Sequence, residues 1–316
     1  MSSSDATQQA YARLKTVLDD IKALKIQGAT NVALEGVSSF AHYAVEVAPS
    51  FSNHKRFMDH LRERAHEVKT VRITEPALAN GLSWVLNQID EQGLEAAIGT
   101  AEEFRSRLTE AKVQVGKIGA EKIQEGTTIM THCHSSFVDQ VFWQAKDMGK
   151  SFRVVNTETR PLYQGRKTVR KLREKEIEVI HVVDSAMWWA MSKFDVELIL
   201  TGADAVTVEG VALNKIGSRL LALSARELHV PLYVCTSLLK YNPETVLGRR
   251  SEIEMRESAE IWPDHPEGVS VYNPAFETIA GQYISAFITE YGLIPSQMMA
   301  YEFDRQVVKG LFLRKD

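Results

Sequence analysis

The feature that most constrains the fold of this chain is an alternation that begins after Gly126. Five short runs rich in β-branched and apolar residues, "TTIMTHC", "FRVVNTE", "EVIHVVD", "ELILTGAD" and "PLYVCTS", are separated by amphipathic stretches long enough for helices. Parallel strands need a crossover between them, usually a helix, so this half predicts a doubly wound parallel sheet covered on both faces.

The residues before Gly126 follow another period. From Leu14 the apolar positions Val17, Leu18, Ile21 and Leu24 recur at helical spacing until Gly28 interrupts them. Helical stretches are expected around residues 30–47, 54–69 and 77–90, and the segment from Leu94 to Ile123, rich in Ala, Glu, Lys and Arg, reads as a long connector helix. The expected class is α/β: an N-terminal helical domain over residues 1–125 and a Rossmann-like doubly wound α/β domain over residues 126–316.

Composition narrows the function classes. A chain of 316 residues with 44% hydrophobic and 25% charged residues is long enough for two folded domains and is not of a disordered type. A formal charge of -4 gives no global footprint for nucleic acid or an anionic membrane, and the apolar runs fall short of a membrane span. The opening "MSSSDATQQAY" lacks the regions of a signal peptide, and two cysteines far apart in sequence make no disulfide framework, so a cytoplasmic protein is expected.

Polar residues collect where the strand candidates end: Cys133, Glu158 to Arg160, Asp184 and Ser185, Asp204, Thr236 and Ser237. Open α/β sheets bind ligands beyond the carboxyl ends of their strands, so these residues should share one edge. Cys133 sits between His132 and His134. Ser136 and Asp139 resemble a capping box, so a helix should start near residue 137 and place the thiol at its N-terminus, where a depressed pKa is expected. Simple packing at a buried strand end fits Cys133 equally well. Cys235, inside "PLYVCTS", reads as core, and no metal site is expected, because adjacent strand residues cannot all face one ion.

Asp204 follows "ELILTG" and is either a proton donor in apolar surroundings or the cap of a turn. Asn214 and Lys215, just before Gly217 and a probable helix start, suggest a phosphate cradle of backbone N–H groups beside an ammonium; an ordinary polar loop is the alternative. Arg160, with Gln164 and Gly165 in the next turn, suits a phosphate or carboxylate, or a surface ion pair.

Taken together, "THCHS", "TETRPLYQG", "VVDSA", "GADAVTVEG" with "NKIGS", and "NPET" followed by "EIEMR" resemble the ribose 1,5-bisphosphate isomerase family, related to methylthioribose 1-phosphate isomerases and to regulatory subunits of initiation factor 2B. The resemblance extends to "IKALKIQGA", "VRITEPALANGLSWV", "VYNPAFE" and "ITEYGLIP", nearly the whole chain. It implies Cys133 and Asp204 as the catalytic pair, which the translation-factor subunits typically lack. It further implies that Gln27, Gly28, Ala29, Arg72, Arg160, Gln164, Asn214 and Lys215 hold a phosphorylated ribose, with no cofactor. Gln27 stands where the family usually has Arg, which removes a guanidinium from a phosphate contact. The resemblance also implies AMP as an activator, a place in nucleoside monophosphate degradation, and a homo-oligomer, a hexamer built as a trimer of dimers. The alternatives are a methylthioribose 1-phosphate isomerase and a non-catalytic regulatory protein that binds a nucleotide or phosphosugar.

Overall fold

The computed structural model describes residues 3–249 and 253–312, so Glu252, which opens the "EIEMR" block, lies outside the described residues. The chain divides into two compact units, one formed by Met1–Thr109 together with the chain from Phe303 onward, the other by Glu110–Glu302.

The first unit is helical: α1 (Ser3–Lys22), α2 (Ala29–Val47), α3 (His54–Thr70), α4 (Pro76–Gln92) and the first half of α5 (Ala96–Ala120). On α1, Ala10, Leu14, Leu18 and Ile21 form the buried stripe that the apolar spacing requires. The helix stops earlier than expected. It ends at Lys22, and Leu24, with φ 57°, turns the chain before Gly28 is reached. Helix α3 is capped by Asn53, whose side chain accepts from the Arg56 N–H at 3.0 Å, and Pro76 opens α4 where a missing N–H costs nothing. Helices α2 and α4 touch through their glycines: a Cβ on Gly36 would meet Leu78, and one on Gly81 would meet Val37 and Phe104.

The division into units falls within α5, where a boundary after residue 125 was expected. The reason is the second half of that helix. Gly116 and Gly119 leave no room for a Cβ against Gln140 and Val141, so this stretch packs directly on α6 (Ser136–Asp147).

The second unit holds β1 (Thr128–Thr131), β2 (Arg153–Thr157), α7 (Gln164–Glu174), β3 (Glu178–Val182), α8 (Met187–Lys193), β4 (Leu198–Gly202), β5 (Ala205–Val206), β6 (Ala212–Lys215), α9 (Ser218–Glu227), β7 (Leu232–Cys235), β8 (Phe276–Ile279), β9 (Ala286–Thr289) and β10 (Gly292–Ile294). Seven strands form one sheet in the order β10-β9-β7-β4-β1-β2-β3, parallel except for the β10–β9 pair. Strands β1 and β4 are buried along their whole length, which explains why neither carries a charged residue. A second, antiparallel sheet, β5-β6-β8, carries Asn214 and Lys215 on β6.

Helix α7 meets β2 at Gly165, where a Cβ would overlap the Thr157 carbonyl oxygen. Gly165→Ala should therefore lower unfolding stability by about 3 kcal/mol or more in a urea titration. Gly99→Ala, on α5 with open space around its Cβ, should raise it by about 0.5–1 kcal/mol.

Candidate active site

The order of the large sheet reverses between β1 and β4, and the crevice at such a reversal is where doubly wound folds bind ligands. Cys133 lies two residues beyond β1 and Asp204 two residues beyond β4, so the two candidate catalytic residues flank that crevice. Their charges interact: the Asp204 carboxylate is one of the groups that oppose ionisation of the thiol.

Cys133 is only 9% exposed and has φ 68°, a left-handed conformation uncommon outside glycine. Two threonines hold it there. The Cys133 N–H donates to Thr159 Oγ1 at 2.9 Å, and its carbonyl accepts from Thr168 Oγ1 at 2.8 Å. Thr159 is itself left-handed, at φ 61°, and its N–H donates to Asp184 Oδ1 at 2.8 Å while the Arg160 N–H donates to Asp184 Oδ2 at 2.7 Å. The carboxylate after β3 thus shapes the loop after β2, which in turn shapes the residue after β1.

The electrostatics reverse one expectation. Burial pushes the Cys133 thiol up to about 11, outweighing the Lys215 ammonium and the His134 backbone N–H that favour the thiolate; Asp204 and Asp184 push it further the same way. Neither flanking imidazole supplies positive charge. His132 Nε2 lies 2.7 Å from the Ile216 carbonyl, which can only accept, so this nitrogen carries the proton, and Nδ1 accepts from Thr157 Oγ1 at 2.5 Å. Burial lowers the His132 pKa, and both ring nitrogens are engaged, so neither is open to a metal. Burial likewise lowers His134 to about 4, and its Nδ1 lies 3.2 Å from Thr168 Oγ1.

The expected capping box does not form. Ser135 is the N-cap of α6 and makes no side-chain cap bond, while Asp139 is buried 3.6 Å from His134 Nδ1, with its carboxyl pushed up to about 7 by burial.

The Asp204 N–H donates to the Leu213 carbonyl at 2.9 Å, which ties this residue to β6. The preceding carbonyl, that of Ala203, accepts from Lys240 Nζ at 2.9 Å. Lys240 is 4% exposed, and its ammonium also lies 4.9 Å from the centre of the Phe137 ring, at the start of α6. Sequence reasoning missed this cation. Its one signal was a lysine just after the apolar stretch that ends β7.

Asn214 is buried, and its Nδ2 donates to Thr201 Oγ1 and Ser218 Oγ, both at 2.9 Å, so both amide protons serve the framework. The Lys215 ammonium lies over the Phe276 ring at 4.5 Å. The expected phosphate cradle at the start of α9 is already filled: the Glu277 carboxylate accepts from the Gly217 N–H and, at 3.0 Å, from the Arg219 N–H. A side chain of the small sheet takes the place proposed for a substrate oxyanion. The exposed Arg160 guanidinium donates to the Tyr163 hydroxyl, and Gln164 opens α7 with a buried Oε1 that makes no hydrogen bond.

Gln27, Gly28, Ala29 and Arg72 belong to the helical unit. Gln27 Nε2 donates to the Leu24 carbonyl at 2.6 Å, Gly28 is the N-cap of α2 at φ 82°, and Ala29 is that helix's buried first residue. Arg72 is largely buried, its guanidinium 3.8 Å from Glu75 Oε1.

Comparison with known proteins follows from this geometry. The pattern of the initiation factor 2 subunit family matches residues 25–296. The chain belongs to that family. Among its relatives in the family, the ribose 1,5-bisphosphate isomerase of Methanocaldococcus jannaschii is 35% identical over 92% of this chain and 94% of its own. The ribose 1,5-bisphosphate isomerase of Archaeoglobus fulgidus is 34% identical over 89% of each chain. The crystal structure of the translation initiation factor eIF-2B of Pyrococcus horikoshii is 28% identical, with a TM-score of 0.77 over 90% of this chain and 97% of the other. With such relatives, this family member is an enzyme of the aldose–ketose isomerase class. Among the described residues, no helix is long and apolar enough to cross a membrane.

The raised thiol pKa has a direct readout. Thiolate absorbance assigned to Cys133, by difference against Cys133→Ser, should not develop until well above pH 9, whereas an unperturbed thiol ionises near about 8.5. Lys215→Met removes a cation that favours the thiolate and should move the transition further up.

Proposed function

We propose that this protein converts ribose 1,5-bisphosphate to ribulose 1,5-bisphosphate by acid–base chemistry shared between Cys133 and Asp204. The observation that carries the reading is the placement of a cysteine and an aspartate after the two strands that flank the reversal of strand order. An anomeric phosphate prevents the spontaneous ring opening of a free aldose, so the reaction needs an acid at the ring oxygen and a base at C2.

The proton inventory of the pair fits that need. A thiol beside a carboxylate holds the same single proton as a thiolate beside a carboxylic acid, so one internal transfer from sulfur to Asp204 creates both reactive forms. Thiolate Cys133 then takes the C2 proton; the C1–C2 double bond forms, the bond from C1 to the ring oxygen breaks, and Asp204 protonates that oxygen. The thiol returns its proton to C1 of the phosphoenolate while Asp204 takes the proton of the C2 hydroxyl, which leaves the ketone and the thiolate–carboxylic acid pair. Transfer of the proton from Asp204 back to sulfur restores the resting thiol and carboxylate. Burial of Cys133 supports this scheme, because proton transfers in a site shielded from water are not lost to solvent.

Cations near the pair favour a doubly phosphorylated substrate. Lys215 and Lys240 belong to the same unit as Cys133 and Asp204, and the exposed Arg160 guanidinium stands on the loop fixed by Asp184. In the same reading AMP is an activator and the working assembly is a hexamer of three dimers.

Purified protein incubated with ribose 1,5-bisphosphate, with and without AMP, should yield ribulose 1,5-bisphosphate by phosphorus and carbon NMR, and methylthioribose 1-phosphate should be turned over poorly or not at all. Cys133→Ser and Asp204→Asn should each lower kcat by about 10³-fold or more, with circular dichroism unchanged. Absence of turnover on the bisphosphate, or an active Cys133→Ser enzyme, would refute the proposal.

A further inference from the structure

A partly buried carboxylate outside the pair is built into the same edge of the sheet. Glu290 follows β9 directly, and one turn gives it two donors: the Ser237 hydroxyl donates to Oε1 at 2.8 Å, and the Leu238 N–H lies 3.2 Å from both Oε1 and Oε2. That turn, Leu238–Lys240, follows β7 and closes with the Lys240 N–H donating to the Ser237 carbonyl at 3.0 Å. Its last residue is Lys240, whose ammonium donates to the Ala203 carbonyl next to Asp204 and lies over Phe137, four residues beyond Cys133.

We propose that Glu290 is a positioning residue for the reaction, fixing the turn that aims Lys240 and, through Lys240, the peptide that carries Asp204. The inference rests on the isomerase reading above and adds to it a residue that touches neither substrate nor the reacting atoms. The alternative is that Glu290 merely stabilises the fold. A partly buried acid is a costly way to do that, since an apolar side chain at the same place would lose nothing to desolvation. What the carboxylate supplies is direction: two oxygens in fixed geometry set the path of Ser237 and Leu238, as no apolar group could.

Protonation gives this role a signature. Burial raises the Glu290 carboxyl to about 6 against its own backbone N–H, the Ser237 hydroxyl and the Leu238 N–H, which favour its charged form. The groups facing it are the Ser237 hydroxyl and the Leu238 N–H from the turn. Strand β7 carries Tyr233 and Cys235, whose thiol burial holds neutral, the turn ends in Lys240, Tyr291 adjoins Glu290 in sequence, and β10 carries no titratable residue. Because the folded pKa is raised, the charged, turn-holding form is present above about pH 6 and is lost as pH falls through that value.

The test is steady-state kinetics on the full chain from pH 5 to 9, with ribose 1,5-bisphosphate as substrate. Glu290→Gln removes the charge and leaves one acceptor oxygen where the carboxylate offers two to the turn, and should lower kcat by roughly 10- to 100-fold with KM nearly unchanged. It should also abolish the component of the wild-type acid limb that titrates near pH 6. Ser237→Ala removes the hydroxyl alone and should lower kcat in the same sense, and the two substitutions combined should cost less than the product of their separate effects. If Glu290→Gln fails to fold, the kcat and KM of Ser237→Ala decide the matter. A wild-type enzyme that turns over while Glu290→Gln, or in its place Ser237→Ala, keeps kcat and the acid limb would overturn the inference and leave the isomerase reading intact. A wild-type enzyme without turnover would overturn both.

Discussion

The Asp184 carboxylate, accepting two consecutive backbone N–H groups, is the interaction on which the active edge depends. Left-handed conformations at Cys133 and Thr159 cost on the order of 1–3 kcal/mol each and persist only where neighbours enforce them. Hydrogen bonds to a charged group contribute about 1.5–3 kcal/mol each, so the two at Asp184 match that strain. The threonine hydroxyls then pass the constraint to Cys133. Three successive parallel strands, β3, β2 and β1, therefore contribute one link each, in the order in which they lie side by side in the sheet.

Desolvation governs the chemistry of this edge more than charge does. Around Cys133 the ammonium of Lys215 lowers the thiol pKa, yet burial prevails and leaves it near 11; around His132 and His134 burial keeps imidazoles neutral that would otherwise stabilise a thiolate. The Cys133 sulfur therefore rests as a thiol and not as a preformed thiolate.

The sequence carried much of this, for identifiable reasons. Strands β1, β2, β4 and β7 were legible because they are mostly or wholly buried, which demands runs rich in apolar residues, and α2, α3 and α4 because each presents one apolar stripe to the core. Cys133 and Asp204 stood out because each is a polar residue just past such a run. The small sheet was not legible: β5 has two residues, and β6 pairs with β8 across a long stretch of chain. The same non-locality hid Glu277, which reaches α9 from β8 to fill a helix start that local sequence presented as vacant. The ionisation of Cys133 was misread for a related reason. A helix N-terminus and two flanking histidines are visible in ten residues, whereas the burial that outweighs them is assembled from the whole unit.

That burial has a consequence for the life of the enzyme between turnovers. Oxidants attack thiolates, and a sulfur that is both enclosed and protonated offers them little. A solvent-exposed thiolate would accumulate sulfenic and sulfinic acids. Here the enclosure that keeps the sulfur protonated also keeps it reduced.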